Sequence, residues 1–267
     1  MADSLSSFTS ILHHTVPWTL VVFRVAGLFV LTPLLASTGT PMRFRAMLAM
    51  MLGAAAYPML DVDVRAVPDD IFGVAAAVAG EAFIGLAIGA IGALPVLLLE
   101  MSGLVAGMTM GMGLARVYNP ESDTETDVMG QLIFFIGMGI FLSLGGIDSL
   151  YAAVLASFER MPPGTISPAH APLDALVAVL ASGFELAFRV SLPVVGIVLL
   201  LIVVLGVLGK TIPAFNMMSV GFTFKLMGGI AMLAMGIYAA REPITVGVED
   251  AINAAQRWVA GMEAPHG

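Results

Sequence analysis

The chain contains no cysteine, and charge is scarce, with only 11% of its 267 residues being Asp, Glu, Lys or Arg. The first absence excludes disulfides, thiolate nucleophiles and cysteine-based metal sites. The second excludes an ordinary soluble domain, in which about 25% of residues are charged and about 45–50% are apolar. Here 59% are hydrophobic. Basic residues are the minority even among the charges, 11 Lys and Arg against 19 Asp and Glu, so no cationic face is offered to nucleic acid. His13, His14, His170 and His266 show no His-x-x-x-His spacing, and neither a metal nor another cofactor is indicated. The residues before the first apolar run carry no Lys or Arg, so that run is expected to stay in the mature protein.

What is present is apolar sequence in long runs: Val16–Ala36, Ala46–Leu60, Ile71–Ala115, Val128–Phe158, Leu173–Leu208 and Ile212–Ala240. A bilayer crossing takes about 20 residues, so several of these are the wrong length for a simple serpentine. Ala46–Leu60 is short. Ile71–Ala115 is long enough for two helices, with a break predicted at Pro95 and Glu100. Gly145, Gly146 and Asp148 are predicted to interrupt the fourth run, and Pro193 to break or kink the fifth. Broken backbone is tolerated at membrane depth only where protein or a water-filled cavity satisfies the freed amides. The fold class is therefore all-α: a polytopic membrane protein of kinked and broken helices, one domain over residues 1–267, built as part of something larger.

Charges inside the runs point the same way. Arg24, Glu81, Glu100, Asp148, Glu185, Arg189 and Lys225 would each cost about 2.5–3.5 kcal/mol or more facing lipid alone. Glu185 and Arg189 are spaced i, i+4 and can neutralise each other. The others have no partner at helical spacing. Their scatter favours structural pairing with other helices or subunits over an ion pathway, which would align them. Arg43 and Arg45 favour a cytoplasmic first tight loop and the acidic stretch Asp61–Asp70 fits the opposite side, while the remaining loops carry one basic residue or mixed charge and do not fix the orientation.

Gly85 and Gly89, then Gly103, Gly107 and Gly111, recur at four-residue spacing, which lets helix backbones approach closely. Met101, Met108, Met110 and Met112 lie in the second stretch. Such flexible side chains can either seal a lumen or simply fill a core. The stretch Asn119–Asp127 follows, with four acidic residues and a proline, and it cannot span a membrane. It is predicted to be a loop whose glycine-rich approach, Gly107, Gly111 and Gly113, allows it to swing or fold back. Gly209-Lys210-Thr211 looks like the end of a phosphate-binding loop, but Val204 stands where the required glycine would be, and neither a preceding strand nor a soluble α/β context is present. Lys210 is read instead as part of a short polar turn between two embedded helices.

Four blocks carry a resemblance: "FRVAGLFVLTPLLASTGTPMRFRAMLAMML" (Phe23–Leu52), "MGMGLARVYNPESDTETDVMGQLIFF" (Met110–Phe135), "LSLGGIDSLYAAVLASFERMPPG" (Leu142–Gly164) and "GVLGKTIPAFNMMSVGFTFKLMGGI" (Gly206–Ile230). In this order, over nearly the whole chain, they resemble the FliR family. This is the membrane component of the flagellar type III export gate and is homologous to the SctT component of virulence injectisomes. The resemblance implies a multi-pass protein of kinked and broken helical hairpins in the bacterial inner membrane, in the flagellar basal body, assembled with FliP-like and FliQ-like subunits and an FlhB-like subunit into a helical export gate around a path for unfolded proteins. It implies a channel plug in the segment holding Gly111, Met112, Gly113, Arg116, Tyr118, Asn119, Pro120, Glu121 and Asp127. Met108 and Met110 could add to a methionine gasket that in the family comes mainly from FliP. Pro213, Asn216 and Phe222 fall at a family turn, where Thr223 replaces the proline of many relatives.

Three function classes can be set against one another. A non-enzymatic gating subunit fits the polar loop. An ion-coupled transporter would use Glu81, Asp148 and Lys225 and is disfavoured by the lack of an internal repeat. An intramembrane enzyme would need a catalytic constellation, and no such arrangement stands out at helical spacing.

Overall fold

The computed structural model describes residues 2–36, 40–60, 70–113, 128–165, 171–211 and 217–262, and all regular structure among them is helical. In chain order the helices are α1 (Ala2–Leu31), a single turn α2 (Pro33–Ala36), α3 (Met42–Ala56) with a short 3-10 turn Tyr57–Met59 behind it, α4 (Ile71–Met110), α5 (Val128–Ser143), α6 (Gly146–Arg160), α7 (Leu173–Thr211) and α8 (Met217–Ala260). Four of them are long and apolar enough to cross a membrane, and α5 with α6 makes a fifth candidate, broken by a bend of 59°. The protein is a multi-pass membrane protein.

The ends follow from local chemistry. Pro33 has no amide to continue α1, and Thr32 folds its hydroxyl and its own amide back onto the Leu28 carbonyl, at 2.7 and 3.3 Å. Between α5 and α6, Gly145 adopts φ 65°, a left-handed conformation that costs little without a Cβ. The predicted interruption is thus where the sequence places it. Asp148 lies exposed in the first turn of α6, where a carboxylate favours the positive end of the helix dipole.

Two expectations are corrected. Ile71–Met110 is one helix of 40 residues that passes through Pro95 without a break. Proline removes one ladder hydrogen bond, but unwinding the chain in apolar surroundings would strand several amides at several kcal/mol each. One lost bond is the smaller penalty. The same balance carries α7 through Pro193 and α8 through Pro243. Lys210, expected in a turn, is exposed in the last turn of α7, where its cation meets the negative end of the dipole. The connection that follows begins after Thr211, outside the described residues.

The chain falls into two compact units, and the divisions come at Leu94/Pro95, Phe141/Leu142, Val179/Leu180 and Glu249/Asp250. In the first unit (Met1–Leu94, Leu142–Val179 and Asp250–Gly267), glycines bring backbones into contact. A Cβ on Gly27 would collide with the Ala82 carbonyl, one on Gly85 with the Arg24 carbonyl, and one on Gly89 would come within 2.6 Å of the Leu28 carbonyl. α1 and α4 therefore interlock through the predicted Gly85/Gly89 stripe and a reciprocal glycine on α1. Gly53 of α3 sits on Val22 in the same way, and Gly92 seats the Leu150 side chain of α6. In the second unit (Pro95–Phe141, Leu180–Glu249), Gly103 abuts the backbone at Met129 and Gly130, while Gly183 lies against Leu98.

Burial is uneven. In the apolar windows, 67% of α4 and 50% of α1 are buried within the chain, against 22% for α7 and 17% for α8. Leu199, Leu200, Val203 and Val207 of α7, with Phe224, Met227 and Met235 of α8, stand in the open. Exposed apolar surface on this scale belongs against lipid or other protein.

Candidate functional site

Two features of the fold gather the residues singled out by sequence. The first is a buried charge network in the first unit. Arg24 on α1 is fully buried, and its guanidinium uses its fork of donors on three sides. Nε donates to Glu81 Oε2 on α4 at 2.5 Å, Nη1 to Ser157 Oγ on α6 at 2.9 Å, and Nη2 to the Met161 carbonyl at 3.1 Å. The Phe158 ring lies 4.1 Å below the guanidinium carbon, close enough for a cation–π contact. Glu81 is equally buried, and its other oxygen, Oε1, accepts from the Gly164 amide at 2.9 Å. Gly164 can present that amide because it turns with φ 87°. The Ser157 hydroxyl in turn donates a hydrogen bond to the Val154 carbonyl at 2.6 Å.

A lone arginine or glutamate could not survive here, since an unpaired buried charge is strongly destabilising. Together, with their donors and acceptors used, they tie α1, α4, α6 and the turn after α6 to one point. The pairing expected for Arg24 and Glu81 is therefore made within the chain. Glu185 and Arg189 also pair as their spacing predicts, at 2.6 Å, on an exposed flank of α7. Lys225 is half-buried on α8, and among the described residues no ion pair reaches it or Asp148.

The second feature is the end of α4. The Gly111 amide donates to Met108 O at 3.0 Å and the Met112 amide to Gly107 O at 3.1 Å, with Gly111 at φ 92°. This is a Schellman stop, in which a left-handed residue just past the helix reverses the chain and satisfies the last carbonyls. Gly111 thus ends the helix firmly, where sequence reading saw only hinge freedom, and Gly107 is helical and buried. Gly111→Ala is expected to cost about 1–2 kcal/mol in left-handed strain. Hydrogen exchange at the Met112 amide should then accelerate about 5–30-fold; an unchanged rate would show that the turn does not depend on glycine.

Met110, the last residue of α4, is fully buried, and its side chain fills the space beside Gly229 on α8. A Cβ on Gly229 would lie 2.6 Å from Met110 Cγ and 2.8 Å from its Sδ and Cε. Gly228, the neighbouring glycine, faces Leu201 of α7. Each glycine inside a helix costs about 1 kcal/mol against alanine, and close approach on two sides is what the doublet permits. Met108 is 53% exposed, while Met112 and Gly113 are half-buried. Arg116, Tyr118, Asn119, Pro120, Glu121 and Asp127 lie outside the described residues.

Sequence reading missed Ser157, Phe158, Gly164 and Gly229. Serine and phenylalanine on an apolar helix give no signal of their own. The Gly228-Gly229 doublet inside an apolar run was the one available hint. Among the described residues no group of three or more His, Cys, Asp or Glu is placed to hold a metal ion.

The profile of the family described as bacterial export proteins, family 1, matches residues 15–250. The flagellar biosynthetic protein FliR of Caulobacter vibrioides is 23% identical over 218 residues, covering 82% of this chain and 87% of that protein. The flagellar biosynthetic protein FliR of Escherichia coli is 26% identical over 220 residues, covering 81% and 82%. The Yop proteins translocation protein T of Yersinia pestis is 27% identical over 159 residues, covering 57% and 58%.

Proposed function

This chain belongs to the family of bacterial export proteins, family 1, and from that membership we propose that it is a core subunit of the flagellar type III export gate. The observation that carries the reading is a match spanning residues 15–250 together with similarity to flagellar FliR proteins along four-fifths of the chain. The injectisome gate is the second reading, and the similarity to a Yop translocation protein favours it over a shorter stretch. The greater coverage supports the flagellar assignment.

The role is structural and gating, without catalysis. Its setting is the bacterial inner membrane, at the flagellar basal body. FliP-like and FliQ-like subunits, with an FlhB-like one, cover the apolar faces of α7 and α8 that the chain leaves open. Unfolded export substrates are the cargo. A solute transporter built on Glu81 is disfavoured, because Arg24 and the Gly164 amide already occupy both carboxylate oxygens.

Residues 111–127 form the channel plug in this reading. Its start is a fixed turn at Gly111, and its polar, acidic composition suits a segment that meets water inside a closed conduit. Deleting Asn119–Asp127 is expected to leave assembly intact and to make the gate leak ions and small solutes. Conductance of the co-purified gate in planar bilayers measures this, and an unchanged conductance would remove the plug role.

A further inference from the structure

Of the contacts at the end of α4, the one between Met110 and Gly229 has the properties of a catch. Met110 is the last helical residue before the Schellman turn, and it is completely enclosed, whereas Met108, two residues before it, is half-exposed. Its seat is the backbone of Gly229, where a Cβ would lie 2.6 Å from Met110 Cγ. Methionine has three rotatable bonds and a soft, unbranched side chain, so rotation within that side chain is enough to take it off the glycine. A Cβ on Gly113 would meet nothing within 4 Å.

We propose that Met110 seated on Gly229 is a releasable latch: it clamps the end of α4 to α8 in the resting protein, and it has to be withdrawn before polypeptide can pass. The inference rests on the reading of the chain as an export-gate subunit whose plug begins at Gly111. Gly229 is then a positioning residue. It touches no cargo, and its absence of a side chain makes the seat.

The lack of native cysteine gives a direct test. The pair Met110→Cys and Gly229→Cys is introduced into the full chain in its native apparatus, and copper phenanthroline is added to cells exporting a flagellar-type substrate. Cross-linking should proceed in high yield, export should fall at least tenfold, and reductant should restore it, while each single cysteine variant exports under oxidant as it does without. Full cross-linking with undiminished export would overturn the latch, as would failure to cross-link in an assembled gate.

If the cysteine pair does not assemble, Gly229→Ala decides the matter. Its methyl group displaces Met110, and the purified gate should conduct several-fold more than the native gate. Met110→Ala, which removes the latch side chain itself, should raise conductance likewise, and combining the two replacements should raise it no further. Native conductance in Gly229→Ala sinks the proposal. The plug deletion separates the two readings: a leak on deletion with no effect of the cross-link removes only the latch, and blocked export with no leak on deletion removes only the plug.

Discussion

Replacing Arg24 with leucine is expected to destabilise the chain by about 3–5 kcal/mol, the range for breaking a buried ion pair by removing one partner. The loss is large because of what remains: Glu81 with a buried negative charge, Ser157 with one fewer donor facing it, and the Met161 carbonyl without its guanidinium hydrogen bond. Glu81→Leu should fall in the same range, since it leaves Arg24 uncompensated and strips the Gly164 amide of its acceptor. The double replacement, Arg24→Leu with Glu81→Leu, should be less damaging than the sum of the singles, because apolar residues of similar volume can substitute for a buried pair at small net cost. Yield and thermal midpoint of the purified gate, compared across the four proteins, measure the coupling. Strict additivity would show that the pair is not the organising contact described above.

The second large effect is expected at Gly85. Gly85→Val puts a branched side chain where a Cβ alone would already collide with the Arg24 carbonyl and come within 2.9 Å of the Leu28 amide. These are backbone atoms and cannot rotate away, so α1 and α4 have to separate. Overpacking of this kind costs about 1–3 kcal/mol and more when backbone must move. Separation would also lengthen the Arg24–Glu81 contact, because both residues sit within one turn of the glycine contacts. Gly85→Val should therefore lose most of its folded protein. Gly139→Val is the control, since a Cβ there meets nothing within 4 Å. Equal yields of the two variants would mean that the glycine stripe does not set the spacing.

The two sites also show what a sequence discloses. Helices in a membrane chain are written in its apolar runs, and the Gly85/Gly89 stripe and the Glu185–Arg189 pair were legible because both partners lie on one helix at fixed spacing. Arg24 and Glu81 are separated by 57 residues, and nothing local joins them. Their meeting depends on Gly27, Gly85 and Gly89 drawing α1 onto α4, a tertiary event. Pro95 misled for the opposite reason: its helix-breaking tendency is a property of peptides in water, and apolar surroundings reverse the balance. Gly111 was correctly singled out but assigned freedom, because a glycine that stops a helix and one that loosens a loop look the same in sequence. The hydrogen bonds from the Gly111 and Met112 amides tell them apart.

The lengths of α4 and α7 carry a last consequence. At 40 and 39 residues each is about 60 Å long, roughly twice the hydrocarbon thickness of a bilayer. Tilting cannot hide the excess, since observed tilts stop near about 40° and matching would need about 60°. Neither helix can therefore be matched to a bilayer by tilt alone, so about half of each lies outside the hydrocarbon of one straight crossing.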